Sequence, residues 1–99
     1  WAIYQRDELQ MRFMEILENL MDYFFEKERF EVSNDYAQRI LKLDPCHQEA
    51  HLALMRAYIE QGKPEQAARQ FQHCAQVMKD ELNISPSPEM SELYLEISG

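Results

Sequence analysis

Along the first quarter of the chain, Leu9, Phe13, Ile16, Leu17, Leu20 and Phe24 recur three and four positions apart. That spacing predicts a helix over about Tyr4–Glu28 that buries this stripe. Met11, Met14, Met21 and Phe25 lie off the stripe, so the helix is broadly apolar. Two readings of that breadth stay open: a wide core contact with helices on both sides, or an exposed patch for a partner. A second helix is expected over Glu31–Leu43, with Tyr36, Ala37, Ile40 and Leu41 inward. Asp44 should end it and cap the next helix, with Pro45 in the first helical position. The third helix carries Ala50, Leu54, Ala57 and Tyr58 and should stop near Gly62, where a left-handed residue costs little. Pro64 opens a fourth helix with Ala67, Ala68, Phe71, Ala75, Met78 and Leu82 inward, closing at Asn83. Ser87-Pro88-Glu89 has the form of a cap, a first helical residue and a dipole-matched acid. A fifth helix follows with Met90, Leu93, Tyr94 and Ile97, and Glu89, Glu92 and Glu96 form its polar outer face. No segment alternates as a strand would, so the expected class is all-α.

The chain also matches itself at an offset of 34 residues: Leu20 falls on Leu54, Met21 on Met55, Phe24 on Tyr58 and Arg29 on Lys63. Ser33 then falls on Ala67, Ala37 on Phe71 and Ile40 on Cys74. A helix-turn-helix unit of that period resembles the tetratricopeptide repeat. Leu54, Tyr58, Gly62, Ala67 and Phe71 fill the large, aromatic, turn, small and aromatic places of the second unit. The first unit departs from the pattern, with Glu28 at the turn glycine and Ser33 at the small position. The expected architecture is an antiparallel helix-pair array of about five helices in a right-handed stack, closed by the fifth helix.

Composition narrows the function. The chain has 99 residues, 10 of them Lys or Arg and 18 Asp or Glu, for a formal charge of −8. An acidic chain lacks the basic footprint that unaided duplex binding needs. Residues 1–31 carry 4 basic and 8 acidic groups, residues 80–99 none and 5, and the middle 6 and 5. The acidity therefore sits in the first helix and the closing segment, where a basic neighbour could dock. One domain is expected over residues 1–99, and a start on Trp1 rather than Met reads as a piece cut from a longer protein. No run approaches the length that spans a bilayer. Two cysteines, Cys46 and Cys74, fit a reducing cytoplasm better than a disulfide framework.

A narrower resemblance rests on Asp80-Glu81-Leu82-Asn83-Ile84-Ser85-Pro86-Ser87-Pro88-Glu89-Met90-Ser91-Glu92-Leu93-Tyr94. This string is similar to the C-terminal signature of the bacterial transcriptional activator domain, the helical module of antibiotic-regulatory-protein (SARP-type) regulators. Upstream, Leu43-Asp44-Pro45 followed by Glu49-Ala50-His51 and Leu54-Met55 resembles another run of that family. Phe71-Gln72-His73-Cys74 stands where the family often has an aromatic residue and a cysteine. Asn83 replaces the family's usual Gly, and the first helix is rich in Met and Phe where Ala and Leu are commoner. The resemblance implies a non-enzymatic regulatory domain that packs on or orients a separate winged-helix DNA-binding domain, which would precede Trp1. It also implies support for dimerisation and contacts to RNA polymerase or an effector domain. Direct nucleic-acid contact by this segment and membrane association are not expected.

No nucleophile elbow or phosphate-cradling glycine loop is present, and no cofactor or catalytic residue is expected. His47 and His51 form an i, i+4 pair beside Cys46, but His73 and Cys74 would have to converge from another helix to complete four ligands. Core histidine and core cysteine are the expected roles, and no metal is expected. The repeat register assigns a concave face to Glu15, Glu18, Asp22, Phe25 and Glu26 from the first unit. From the second unit it assigns Leu52, Arg56, Ile59 and Glu60. A ligand on that face would be basic or amphipathic; an alternative function is therefore an adaptor that takes a peptide or protein in this groove. The competing view is an ordinary solvated helix face.

Overall fold

The computed structural model describes the backbone of residues 2–98, and the side chains of residue 9 and residues 11–98. Trp1, from which the preceding domain was expected to extend, lies outside the described residues. Five helices and no strand occur among the described residues: α1 (Ala2–Glu26), α2 (Phe30–Leu43), α3 (Gln48–Glu60), α4 (Pro64–Leu82) and α5 (Pro88–Ser98).

The two helix pairs close with the same turn. Glu28 N–H donates to the Phe25 carbonyl at 3.0 Å and Arg29 N–H to Phe24 at 2.8 Å. Thirty-four residues on, Gly62 N–H donates to Ile59 at 3.0 Å and Lys63 N–H to Tyr58 at 2.7 Å. Both patterns satisfy the last carbonyls of a helix through one left-handed residue. That residue is Glu28, at φ 60°, in the first unit and Gly62, at φ 75°, in the second.

Two apolar cores stack along the array. Leu17 and Met21 of α1 meet Ala37 and Ile40 of α2 and Ala50 and Leu54 of α3. Met55 of α3 meets Ala67, Cys74 and Met78 of α4 and Met90 of α5. Full burial of a side chain such as Leu54 or Met78 stabilises the fold by about 1.5–3 kcal/mol. Phe71 stacks on Tyr94 at 4.3 Å between ring centres and fixes α5 against α4. Buried Ser33 donates through Oγ to the Met21 carbonyl at 3.0 Å, so the departure at the small position adds a bond between α1 and α2.

Three expectations are corrected. Leu9, Phe13 and Ile16, read as inward, are exposed, at 66%, 52% and 54% of their surface. The core face of α1 is instead Met14, Leu17 and Met21, with Leu20 and Phe24 half-buried. The repeat register gives the reason. Ile16 corresponds to Ala50 and Leu20 to Leu54, and α3 buries these two against α1 and α2. No helix among the described residues stands before α1 to do the same, so its equivalent face is open. Secondly, α3 does not begin at Pro45. Asp44 ends α2, and its Oδ1 accepts from Cys46 N–H at 3.3 Å, which spends the side chain on a turn. His47 caps α3 instead, its Nδ1 accepting from Ala50 N–H at 3.1 Å. Thirdly, Leu82 is exposed, because it lies in the last turn of α4 beyond the reach of α5.

Candidate functional site

The first helices of the two pairs, joined by the start of α5, form an open groove of about 450 Å³. It is lined by Asp22, Phe25 and Glu26 from α1, Glu49, Leu52, Ala53 and Arg56 from α3, and Glu89 from α5. Asp22, Phe25 and Glu26 converge because they lie three and four residues apart on one face of α1. Phe25, Leu52 and Ala53 are half-buried and make the apolar floor, while the four carboxylates and Arg56 stand exposed around it.

The electrostatics are uneven. Arg56 is paired with Glu89, which ties α5 to α3 across one end of the groove. Glu18, just outside, accepts from His47 Nε2 at 2.8 Å. Asp22, Glu26 and Glu49 have no cationic partner among the described residues. Asp22 titrates above its usual range, first because neighbouring atoms strip water from it and then because Glu18 and Glu26 crowd it.

Of the residues assigned to a concave face from sequence, the structure brings Asp22, Phe25, Glu26, Leu52 and Arg56 together in this groove. Glu18 lies at its edge on His47, while Glu15 and Glu60 are exposed outside it. Ile59 packs against the second core instead. Glu49, Ala53 and Glu89 were missed. Glu49 and Glu89 sit in the first turns of α3 and α5, where their evident role is to match the helix dipole. The signal that could have found Glu89 is the Pro-Ser-Pro-Glu turn itself, which sets α5 beside α3.

The histidine and cysteine side chains go separate ways. Buried His51 bonds the Pro45 carbonyl through Nε2 at 2.8 Å, and its Nδ1 accepts from Gln70 Nε2 at 2.7 Å. A carbonyl only accepts and an amide nitrogen only donates, so the proton is on Nε2, Nδ1 is bare, and the ring is neutral. Burial accordingly lowers the pKa of His51. Cys46 Sγ faces the Val77 carbonyl and Cys74 Sγ the Met78 sulfur. Burial raises both thiols, Cys74 to about 11, which leaves little of the thiolate that metals and nucleophilic chemistry require.

Glu18, His47 and Glu49 do come within 4.8 Å of one another through possible ligand atoms. The His47 proton argues against a metal there. Because Nδ1 accepts from Ala50 N–H, the proton occupies Nε2, the nitrogen a metal would need, and moving it would break the cap of α3.

Taken together, fold and groove define a helix-pair module whose surfaces, rather than any set of reactive groups, are its distinctive feature. The family model of the bacterial transcriptional activator domain matches residues 1–98, and the chain belongs to that family. It is thus a domain of transcription regulators, as the signature residues implied. No curated protein and no solved structure gives a significant match. The signature now has a structural reading. Ser87 caps α5 through Oγ on Met90 N–H, and Gln48 Oε1 at the start of α3 accepts from Ser87 N–H at 3.0 Å. Glu89 reaches Arg56, and His51, Leu54 and Met55 lie in the interior.

Proposed function

We propose that this domain, one unit within a longer activator, is a non-enzymatic scaffold on which the rest of that activator assembles. In this reading it packs on and orients a separate winged-helix DNA-binding domain, and it supports dimerisation or contacts to an effector domain or RNA polymerase in the cytoplasm. The observation that carries the reading is the open stripe of Leu9, Phe13, Ile16 and Tyr23 on α1, all more than half exposed. Contiguous exposed apolar surface of this kind marks an interaction site. The register equivalent of Ile16 at its centre, Ala50 on α3, is covered by a preceding helix pair, so the stripe has the form of a half-made helix interface. DNA contact falls to the other domain, because this one is acidic. No helix among the described residues is long and apolar enough to cross a membrane.

The test is Phe13→Ser with Ile16→Ser in the full-length activator, read by promoter activation and by the melting of this domain. Activation should be lost while the domain, whose core contains neither side chain, melts as before. Full activation by the double variant would refute the reading. A second reading, the peptide adaptor, is favoured by the groove on the other side of α1.

A further inference from the structure

We infer that the groove between α1 and α3 docks a protein segment that presents lysine or arginine beside a large aliphatic side chain. This rests on the reading of the domain as an interaction module and names the chemistry of one of its partners. The groove combines two features that such a segment satisfies together. Its floor of Phe25, Leu52 and Ala53 is half-buried and offers open apolar contact among the described residues. Its walls carry Asp22, Glu26 and Glu49, unpaired among the described residues, while the single cation of the lining, Arg56, is already held by Glu89.

Charge complementarity chooses the occupant. Asp22 and Glu26 stand one turn apart on the same face, an arrangement that is unfavourable in an isolated helix. Glu18 extends the row by another turn, and Glu49 faces it from α3. The raised titration of Asp22 reflects the same crowding, led by its loss of water. A cation placed between α1 and α3 would relieve this repulsion, whereas an acidic segment would add to it. Nucleic acid is disfavoured by the same charges. A purely basic segment would leave the floor wet, and a purely apolar one would desolvate the carboxylates without pairing them. The volume of about 450 Å³ lies within the span of pockets that take a few side chains.

The experiment measures binding of labelled amphipathic helical peptides to the chain by fluorescence anisotropy, at low and raised salt. One peptide carries Lys and Leu on the docking face, a second replaces Lys by Glu, and a third replaces Leu by Ser. The Lys–Leu peptide should bind, lose affinity as salt rises, and bind about tenfold more weakly to the Asp22→Asn, Glu26→Gln, Glu49→Gln variant. Separately, Leu52→Ser should weaken it as well, while Phe13→Ser should leave it unchanged. The Glu–Leu and Lys–Ser peptides should bind much more weakly than the first. Equal binding of Lys–Ser would mean charge alone, and equal binding of Glu–Leu would mean apolar contact elsewhere. Either result, no binding of the Lys–Leu peptide, or an unchanged affinity in the triple-carboxamide variant, overturns the inference. Circular dichroism of that variant should match the parent, since it removes only exposed charges. Failure here leaves the α1 stripe reading intact, because that reading is tested on residues outside the groove.

Discussion

Glu28 occupies a position whose backbone is made for glycine, and replacing it should stabilise the domain. At φ 60° its Cβ crowds the following carbonyl, which costs a non-glycine residue about 1–2 kcal/mol. Glycine loses about 0.5–1 kcal/mol of that advantage by making the unfolded chain more flexible. The carboxylate is also exposed just past the C-terminus of α1, where the helix dipole disfavours negative charge by about 0.3–1 kcal/mol. The net expectation for Glu28→Gly is a gain of about 1 kcal/mol, or about 5 °C in Tm for a domain of this size. The reciprocal change has a clean reference at the equivalent turn. A Cβ on Gly62 would meet nothing within 4 Å, so Gly62→Ala tests backbone conformation with no steric clash. It should cost about 1 kcal/mol. Glu28→Gln removes the charge and keeps the strain, and should recover only a few tenths of a kcal/mol. Urea unfolding followed by circular dichroism would measure all three. If Glu28→Gly were neutral or destabilising, or Glu28→Gln gave the whole gain, the assignment of strain to the first turn would be wrong.

Two further outcomes follow from the interior. Met90 is the buried residue of α5, and Met90→Ala should cost about 2–5 kcal/mol, read as a lower urea midpoint and loss of the near-ultraviolet signal from Tyr94. His51 is neutral in the fold, and burial holds its pKa below the ordinary 6.5. The unfolded chain therefore takes up that proton first, and stability falls as pH drops below about 6.5, by at most about 1.4 kcal/mol per pH unit from this group. His51→Gln keeps a donor for Pro45 and an acceptor for Gln70, so urea midpoints taken across that range should lose this part of the slope.

Much of the fold was legible because local chemistry and tertiary packing agree. Pro64, Asn83 and Ser87-Pro88 mark helix ends by what their own backbones allow, and α4 begins and ends, and α5 begins, where those residues place them. The start of α3 was not legible, since Asp44 is equally suited to cap a helix or to form a turn. Only the route of the chain around Pro45 shows that the turn holds it, leaving the cap to His47. The inward face of α1 failed for a different reason. A helix apolar on both sides does not say which side has a neighbour, and Met21 rather than Phe13 meets α2 and α3. The groove was half visible: the register gathers Asp22, Phe25 and Arg56, but Glu89 joins them only through the packing of α5, which lies outside the repeat.

The central question is whether the open face of α1 is covered in the longer activator proposed above. Ile16→Cys places a thiol in the middle of that face, and its rate of alkylation can be compared between this domain alone and the full-length activator. The native thiols, partly or wholly buried and raised in pKa, should contribute slowly in both. The prediction is fast modification in the isolated domain and protection in an activator that still drives its promoter. Equally fast modification in a fully active regulator would contradict the claim that this stripe is its assembly surface.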